Sequence, residues 1–158
     1  MKKSLLPLAL LSLSFFAQAE EGYYFGAGYN ISASENSGDK TGLSASFGHT
    51  FPLGSTFAAS SEWLYTDLGK HGGYDISSIA WNLKPTLPLS DTMHVAGVFG
   101  TNYFFQESDK DKDNKFGISY GAELGLRLTQ HIQVNTGYKI FNAKSQVSSM
   151  YAEFQLRF

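Results

Sequence analysis

Apolar and polar residues alternate with a period of two along almost everything after Glu21. Successive side chains of a strand point to opposite faces, so this period predicts strands rather than helices. It predicts eight of them, over residues 23–31, 43–51, 56–66, 76–87, 93–105, 116–128, 132–140 and 148–158. The clearest sets Phe116, Ile118, Tyr120, Ala122, Leu124, Leu126 and Leu128 against Gly117, Ser119, Gly121, Glu123, Gly125 and Arg127. The faintest is 76–87, where Ser77, Ile79, Trp81 and Leu83 stand against Ser78, Ala80, Asn82 and Lys84.

The stretches between the strands sort by length. Ser32–Thr41, Asp67–Gly73, Gln106–Lys115 and Asn142–Val147 read as longer, polar loops, whereas Pro52–Ser55, Pro88–Thr92 and Thr129–His131 read as short turns. Long and short connections alternate strictly, which predicts an all-β, eight-stranded antiparallel up-and-down barrel with its loops at one end and its turns at the other. Transmembrane barrels sort their connections this way, and about ten tilted residues suffice to cross the hydrocarbon layer. A strand edge cannot face lipid unpaired, so the sheet must close.

The two faces differ in bulk. One carries Phe, Tyr, Trp, Leu, Ile and Val; the other carries Gly, Ser, Thr, Asn and nearly all strand charges. Eight strands leave an interior only wide enough for packed side chains or one small ligand. The small polar face fits that interior, so the bulky face is expected to meet lipid. Aromatics gather near strand ends on the bulky face, with Tyr23, Phe51, Phe57 and Phe158 at the turn end. Tyr29, Tyr65, Tyr103, Phe105, Phe116 and Tyr138 lie toward the loop end. Two such girdles mark the two membrane–water interfaces.

Composition agrees with this picture. The 158 residues suffice for one domain, and charged residues make up only 16% against roughly 25% in soluble domains. Cysteine is absent, which excludes disulfides, thiolate metal sites and cysteine nucleophiles. The N-terminus has the parts of a cleaved secretory signal: Lys2 and Lys3, an apolar run from Leu5 to Phe16, and Ala17-Gln18-Ala19 before Glu20. Residues 1–19 are therefore expected to be a signal peptide and 20–158 the barrel. Losing Lys2 and Lys3 takes the formal net charge from −2 to −4, which argues against nucleic acid as a partner.

The stretch Glu62-Trp63-Leu64-Tyr65-Thr66-Asp67-Leu68-Gly69 is similar to the E-x-x-Y-T-D-x-G of the third strand in OmpA-like barrels. With the signal segment, the eight strands and a terminal Phe, the chain resembles the small outer-membrane β-barrel family that includes the OmpA transmembrane domain and the OmpX-type barrels. The resemblance implies a Gram-negative outer-membrane location, outer-membrane lipids and lipopolysaccharide as surroundings, and a monomer. It also makes Phe154, Leu156 and Phe158 a C-terminal signal for the barrel assembly machinery.

Seven strand charges are assigned to the interior: Glu62, Lys84, Glu123, Arg127, Lys139, Glu153 and Arg157. Charges at bilayer depth persist only when paired or wetted. Counting from the short turns sets Glu123 diagonal to Lys139, Glu153 opposite or diagonal to Lys139, and Lys84 near His94. Two readings follow: a hydrogen-bonded plug that fills the lumen, or a gate whose Glu and Lys/Arg partners exchange. The resemblance favours a gate role for Glu62. A third reading is adhesion through the loops, whose charges are mixed in sign.

Ser108–Lys115 begins like a calcium loop, but the loop's sixth and twelfth positions are Asn114 and Tyr120 instead of Gly and Glu, so a solvated hairpin is expected. Some barrels of this size modify lipid A, yet His49, His71, His94 and His131 show no accompanying serine in an outward H-x-S pattern. No enzyme activity, cofactor or metal is expected.

Overall fold

The computed structural model describes residues 22–34, 37–54, 57–108, 111–142 and 146–158. The proposed signal segment lies outside them. Eight antiparallel strands form a closed barrel in sequence order: β1 (Tyr23–Ser34), β2 (Ser37–Leu53), β3 (Phe57–His71), β4 (Tyr74–Pro88), β5 (Met93–Ser108), β6 (Asp111–Arg127), β7 (Ile132–Asn142) and β8 (Gln146–Arg157). Closure comes from β1 against β8, running from Tyr24 opposite Arg157 to Ser34 opposite Val147.

The strands outrun the alternation. Pairing continues to Ser34 opposite Ser37, His71 opposite Tyr74 and Ser108 opposite Asp111. Most of the first three stretches read as longer loops, and both ends of the fourth, are thus hairpin strand, so the length asymmetry is largely one of overhang. The Ser108–Lys115 run falls in the β5–β6 hairpin, where Lys112 pairs with Glu107 at 2.6 Å and Lys115 with Asp113 at 2.7 Å.

Local chemistry fixes the ends. Gly72 and Gly73, with φ of 61° and 86°, supply the two positive φ values of a tight hairpin turn that follows the sheet's twist. The turns at 89–92 and 128–131 are built alike. Ser90 Oγ accepts from the N–H of Thr92 and Met93, and Thr129 Oγ1 from the N–H of His131 and Ile132. Short hydroxyl side chains favour turns for this reason. Pro85 has no N–H, and the β4–β5 ladder skips from Leu83–Phe99 to Thr86–Ala96 around it without a change of register.

The bulky face points outward, with Phe25, Leu43, Trp63, Phe99, Phe116 and Phe154 all exposed. Rings gather at both ends of this apolar band. Tyr23, Phe25, Phe47, Phe51, His49 and Phe158 interlock at the turn end, and Tyr103, Phe105 and Phe116 at the loop end.

Candidate functional site

All seven charges expected inside lie on the lumen face, and Glu62, Lys84, Glu123, Lys139 and Glu153 are buried there. The ammonium of Lys84 bridges two carboxylates, 2.9 Å from Glu62 Oε2 and 2.8 Å from Glu123 Oε2. Glu62 also accepts from Tyr24 Oη at 2.8 Å and from Asn82 Nδ2 at 2.9 Å. Glu123 accepts from Tyr151 Oη at 2.8 Å. Lys139 donates to Asn82 Oδ1 at 2.9 Å and stands over the Phe141 ring. One connected layer of ion pairs and hydrogen bonds therefore crosses the middle of the barrel.

Glycines make the layer possible. Along one row Tyr24 is opposite Gly48, which is opposite Glu62. Along another Tyr151 is opposite Gly137, which is opposite Glu123. Each tyrosine lies across a glycine to reach a glutamate two strands away. A Cβ on Gly48 would run into the Tyr24 ring, and one on Gly137 would stand 2.6 Å from Tyr151 Cζ. Both carboxylates thus receive a phenol as well as an ammonium, the satisfaction a buried charge needs.

The register differs in part from the sequence count. Glu123 is diagonal to Lys139, since Gly121 pairs with Lys139. Glu153, however, is opposite Asn135, whereas Lys139 is opposite Ser149. Glu153 instead accepts from Gln155 Nε2 at 2.5 Å. The central glutamate–lysine–glutamate group is built on Lys84, not on Lys139. Lys84 and His94 are not near neighbours either, because His94 is opposite Pro88; both line a chamber below the layer.

Above the layer sits a second closure. Leu68, Ile76, Phe104, Phe141 and Val147 form a buried apolar cluster with Tyr74 packed on it. Phe104 and Phe141 meet edge to face at 6.1 Å. Leu68 enters through a bulge between Asp67 and Gly69. Gly69 has φ of 74°, and Asp67 Oδ1 accepts the Gly69 N–H at 2.8 Å. The Thr66-Asp67-Leu68-Gly69 stretch therefore turns a leucine into the lumen.

Ser32 and His71 also meet here, Oγ to Nε2 at 2.9 Å, a contact across 39 positions that no local motif signals. It is not a nucleophile–base pair. Nε2 also faces the Leu68 carbonyl at 2.9 Å, and Ser32 Oγ donates to the same oxygen. The ring nitrogen is held as a donor and cannot take the serine proton. His71 stands beyond Tyr65, the last outward aromatic of β3. Burial, with Lys40 adding to it, lowers its pKa from 6.5, while the Leu68 carbonyl partly opposes this. Among the described residues no group of His, Asp or Glu is arranged to hold a metal ion.

Residues 4–158 match the family described as outer membrane protein beta-barrel domain. No curated protein sequence matches the chain. Neisserial surface protein A is similar in structure, with a TM-score of 0.65 at 10% identity over 89% of this chain and 98% of its own. Ail, the attachment invasion locus protein of Yersinia pestis, solved with the heparin analogue sucrose octasulfate, reaches 0.65 at 15% identity over 89% and 100%. The N-terminal barrel domain of Pseudomonas aeruginosa OprF reaches 0.57 at 10% identity over 86% and 99%.

Proposed function

Since the chain belongs to the outer membrane protein beta-barrel family and so resides in the cell outer membrane, we propose that it acts there as a structural barrel with a closed lumen, monomeric and enclosed by lipid and lipopolysaccharide. The observation that carries this reading is the presence of two closures in series. The Glu62–Lys84–Glu123 layer is nearly inaccessible to solvent, and the Leu68–Phe104–Phe141 cap lies above it. The turn end faces the periplasm, following the rule that periplasmic connections are the short ones.

The gate is the second reading, favoured by one observation: Lys139 lies diagonal to Glu123 and holds an amide oxygen rather than a carboxylate. Exchange of Glu123 from Lys84 to Lys139 would loosen the layer. The apolar cap weighs against it, because such an exchange leaves the cap in place. Potassium efflux from proteoliposomes separates the two. A plug predicts the same low efflux for wild type and Glu123→Ala, and a clear difference between them favours the gate.

Adhesion through a polyanion, the chemistry that the Ail complex suggests, has less support. The β5–β6 hairpin's Lys112 and Lys115 are met by carboxylates of the same hairpin. Phe154 and Leu156 are exposed on the outer face of β8, and Phe158 packs on Phe25, which suits a recognition strand read during assembly. Phe158→Ala is then expected to accumulate as unfolded band in outer-membrane preparations; wild-type yield of folded barrel would refute that role.

A further inference from the structure

Below the ionic layer the lumen opens into a chamber of about 340 Å³, bounded by Lys84 and Glu123 above and by Pro52, Gly54 and Pro88 at the turn end. Its charge is lopsided. Of the residues lining it, Lys84, Arg127 and Arg157 are cationic and only Glu123 is anionic, and Glu123 is already paired with Lys84. Arg127 at the end of β6 and Arg157 at the end of β8 flank Gln133 of β7, since Arg127 is opposite Gln133 and Gln133 opposite Gln155. Arg157 donates to Gln133 Oε1 at 3.0 Å and to Thr50 Oγ1 at 3.1 Å, both neutral acceptors. Among the described residues neither guanidinium has a carboxylate partner, and the Arg127 guanidinium makes no hydrogen bond, its backbone N–H alone being engaged, to the Thr92 carbonyl. The Arg157 guanidinium also stands 5.9 Å from the centroid of the Tyr24 ring.

Two uncompensated guanidiniums in a confined polar chamber need either water or an anion. The planar donor fork of arginine matches tetrahedral oxyanions in particular, and the volume lies within the range of about 300–1,000 Å³ typical of small-molecule sites. We propose that this chamber is a phosphate-binding site, open at the turn end, in which Arg127 and Arg157 clamp the anion from β6 and β8. The ligand is either free phosphate or the phosphate of a lipid headgroup reaching the mouth.

Calorimetric titration of the folded protein in alkyl glycoside micelles, free of phosphate buffer, tests this. One arm adds inorganic phosphate and the other a short-chain phosphatidylglycerol. Saturable binding in either arm is expected, weakened at least tenfold by Arg127→Gln and unchanged by Lys112→Gln in the distant hairpin. Binding of inorganic phosphate identifies a free-anion site, and binding of the lipid alone identifies a headgroup site. A heat-shifted gel band confirms that each variant is folded. If Arg127→Gln does not fold, Arg127→Lys, which keeps the charge but loses the fork, is expected to weaken binding at least threefold. No binding in either arm, or equal affinity in the folded Arg127 variant, would overturn the proposal.

Discussion

At the scale of single residues, the lumen is governed by the cost of burying charge. Lys84 neutralises two glutamates at once. In Lys84→Met the two carboxylates would share the barrel interior without their cation. A loss of about 3–5 kcal/mol is expected, read as a lower urea midpoint for unfolding in micelles, whereas an unchanged midpoint would show that Lys84 is dispensable. His71 gives a pH dependence of known sign. Its folded pKa lies below the ordinary 6.5, so the unfolded chain takes up the proton more readily. The stability it contributes is complete above pH 6.5 and declines as the pH falls below that value. Among the described residues His71 faces Ser32, the Leu68 carbonyl and, as a charge, Lys40. The loss of urea midpoint between pH 7.5 and 5.5 should therefore be smaller in His71→Gln than in wild type; equal losses would exclude His71 as a source.

At the scale of elements, a strand's two faces answer to different solvents. Phe99 is exposed on β5 midway between the outward-facing Met93 and Phe105. Phe99→Arg is expected to cost about 2–4 kcal/mol, the range for a cation on a barrel's lipid face near the bilayer midplane. Refolding into lipid vesicles measures this, and a neutral effect would argue that Phe99 does not meet hydrocarbon. The β3 bulge makes the second case. Gly69→Ala places a side chain at φ of 74°, with its Cβ 2.9 Å from the Lys40 Cβ, so a loss above about 1 kcal/mol is expected. Unchanged stability would mean that the bulge tolerates a residue other than glycine.

These elements also show what the sequence could reveal. Alternation separates the two faces, because period two is a local property, and side-chain bulk with aromatic placement says which of them meets lipid. Register is not local. The predicted strand ends Ile140 and Ser148 are themselves partners, and counting back from them sets Glu153 opposite Asn135, four positions from Lys139. The Glu62–Lys84 pair depends on a turn and a bulge that alternation does not register. The tight Gly72-Gly73 turn and the one-residue bulge before Gly69 together bring Asn82 opposite Glu62 and Lys84 diagonal to it. Both signals lay in residues read as unpaired. Leu68 and Val147 of the apolar cap fell in those same stretches. The Tyr24 and Tyr151 hydroxyls did carry a readable sign: each is a bulky polar residue on a face of small ones.

At the scale of the whole molecule, the low charge fraction reflects a surface that meets lipid around its girth and confines the strand charges to the lumen. The chamber below Lys84 is open and cationic, and the space above is apolar and filled. An ion entering from the turn end meets the ionic layer first and the cap second. Either closure alone should block it. Planar-bilayer recording tests this most directly, using wild type, the layer variant Lys84→Ala/Glu123→Ala, the cap variant Leu68→Ala/Phe104→Ala, and the combination of all four changes. The expected result is no steady conductance from the first three and discrete channel steps from the combined variant. Steady conductance from the wild type would contradict the closed lumen.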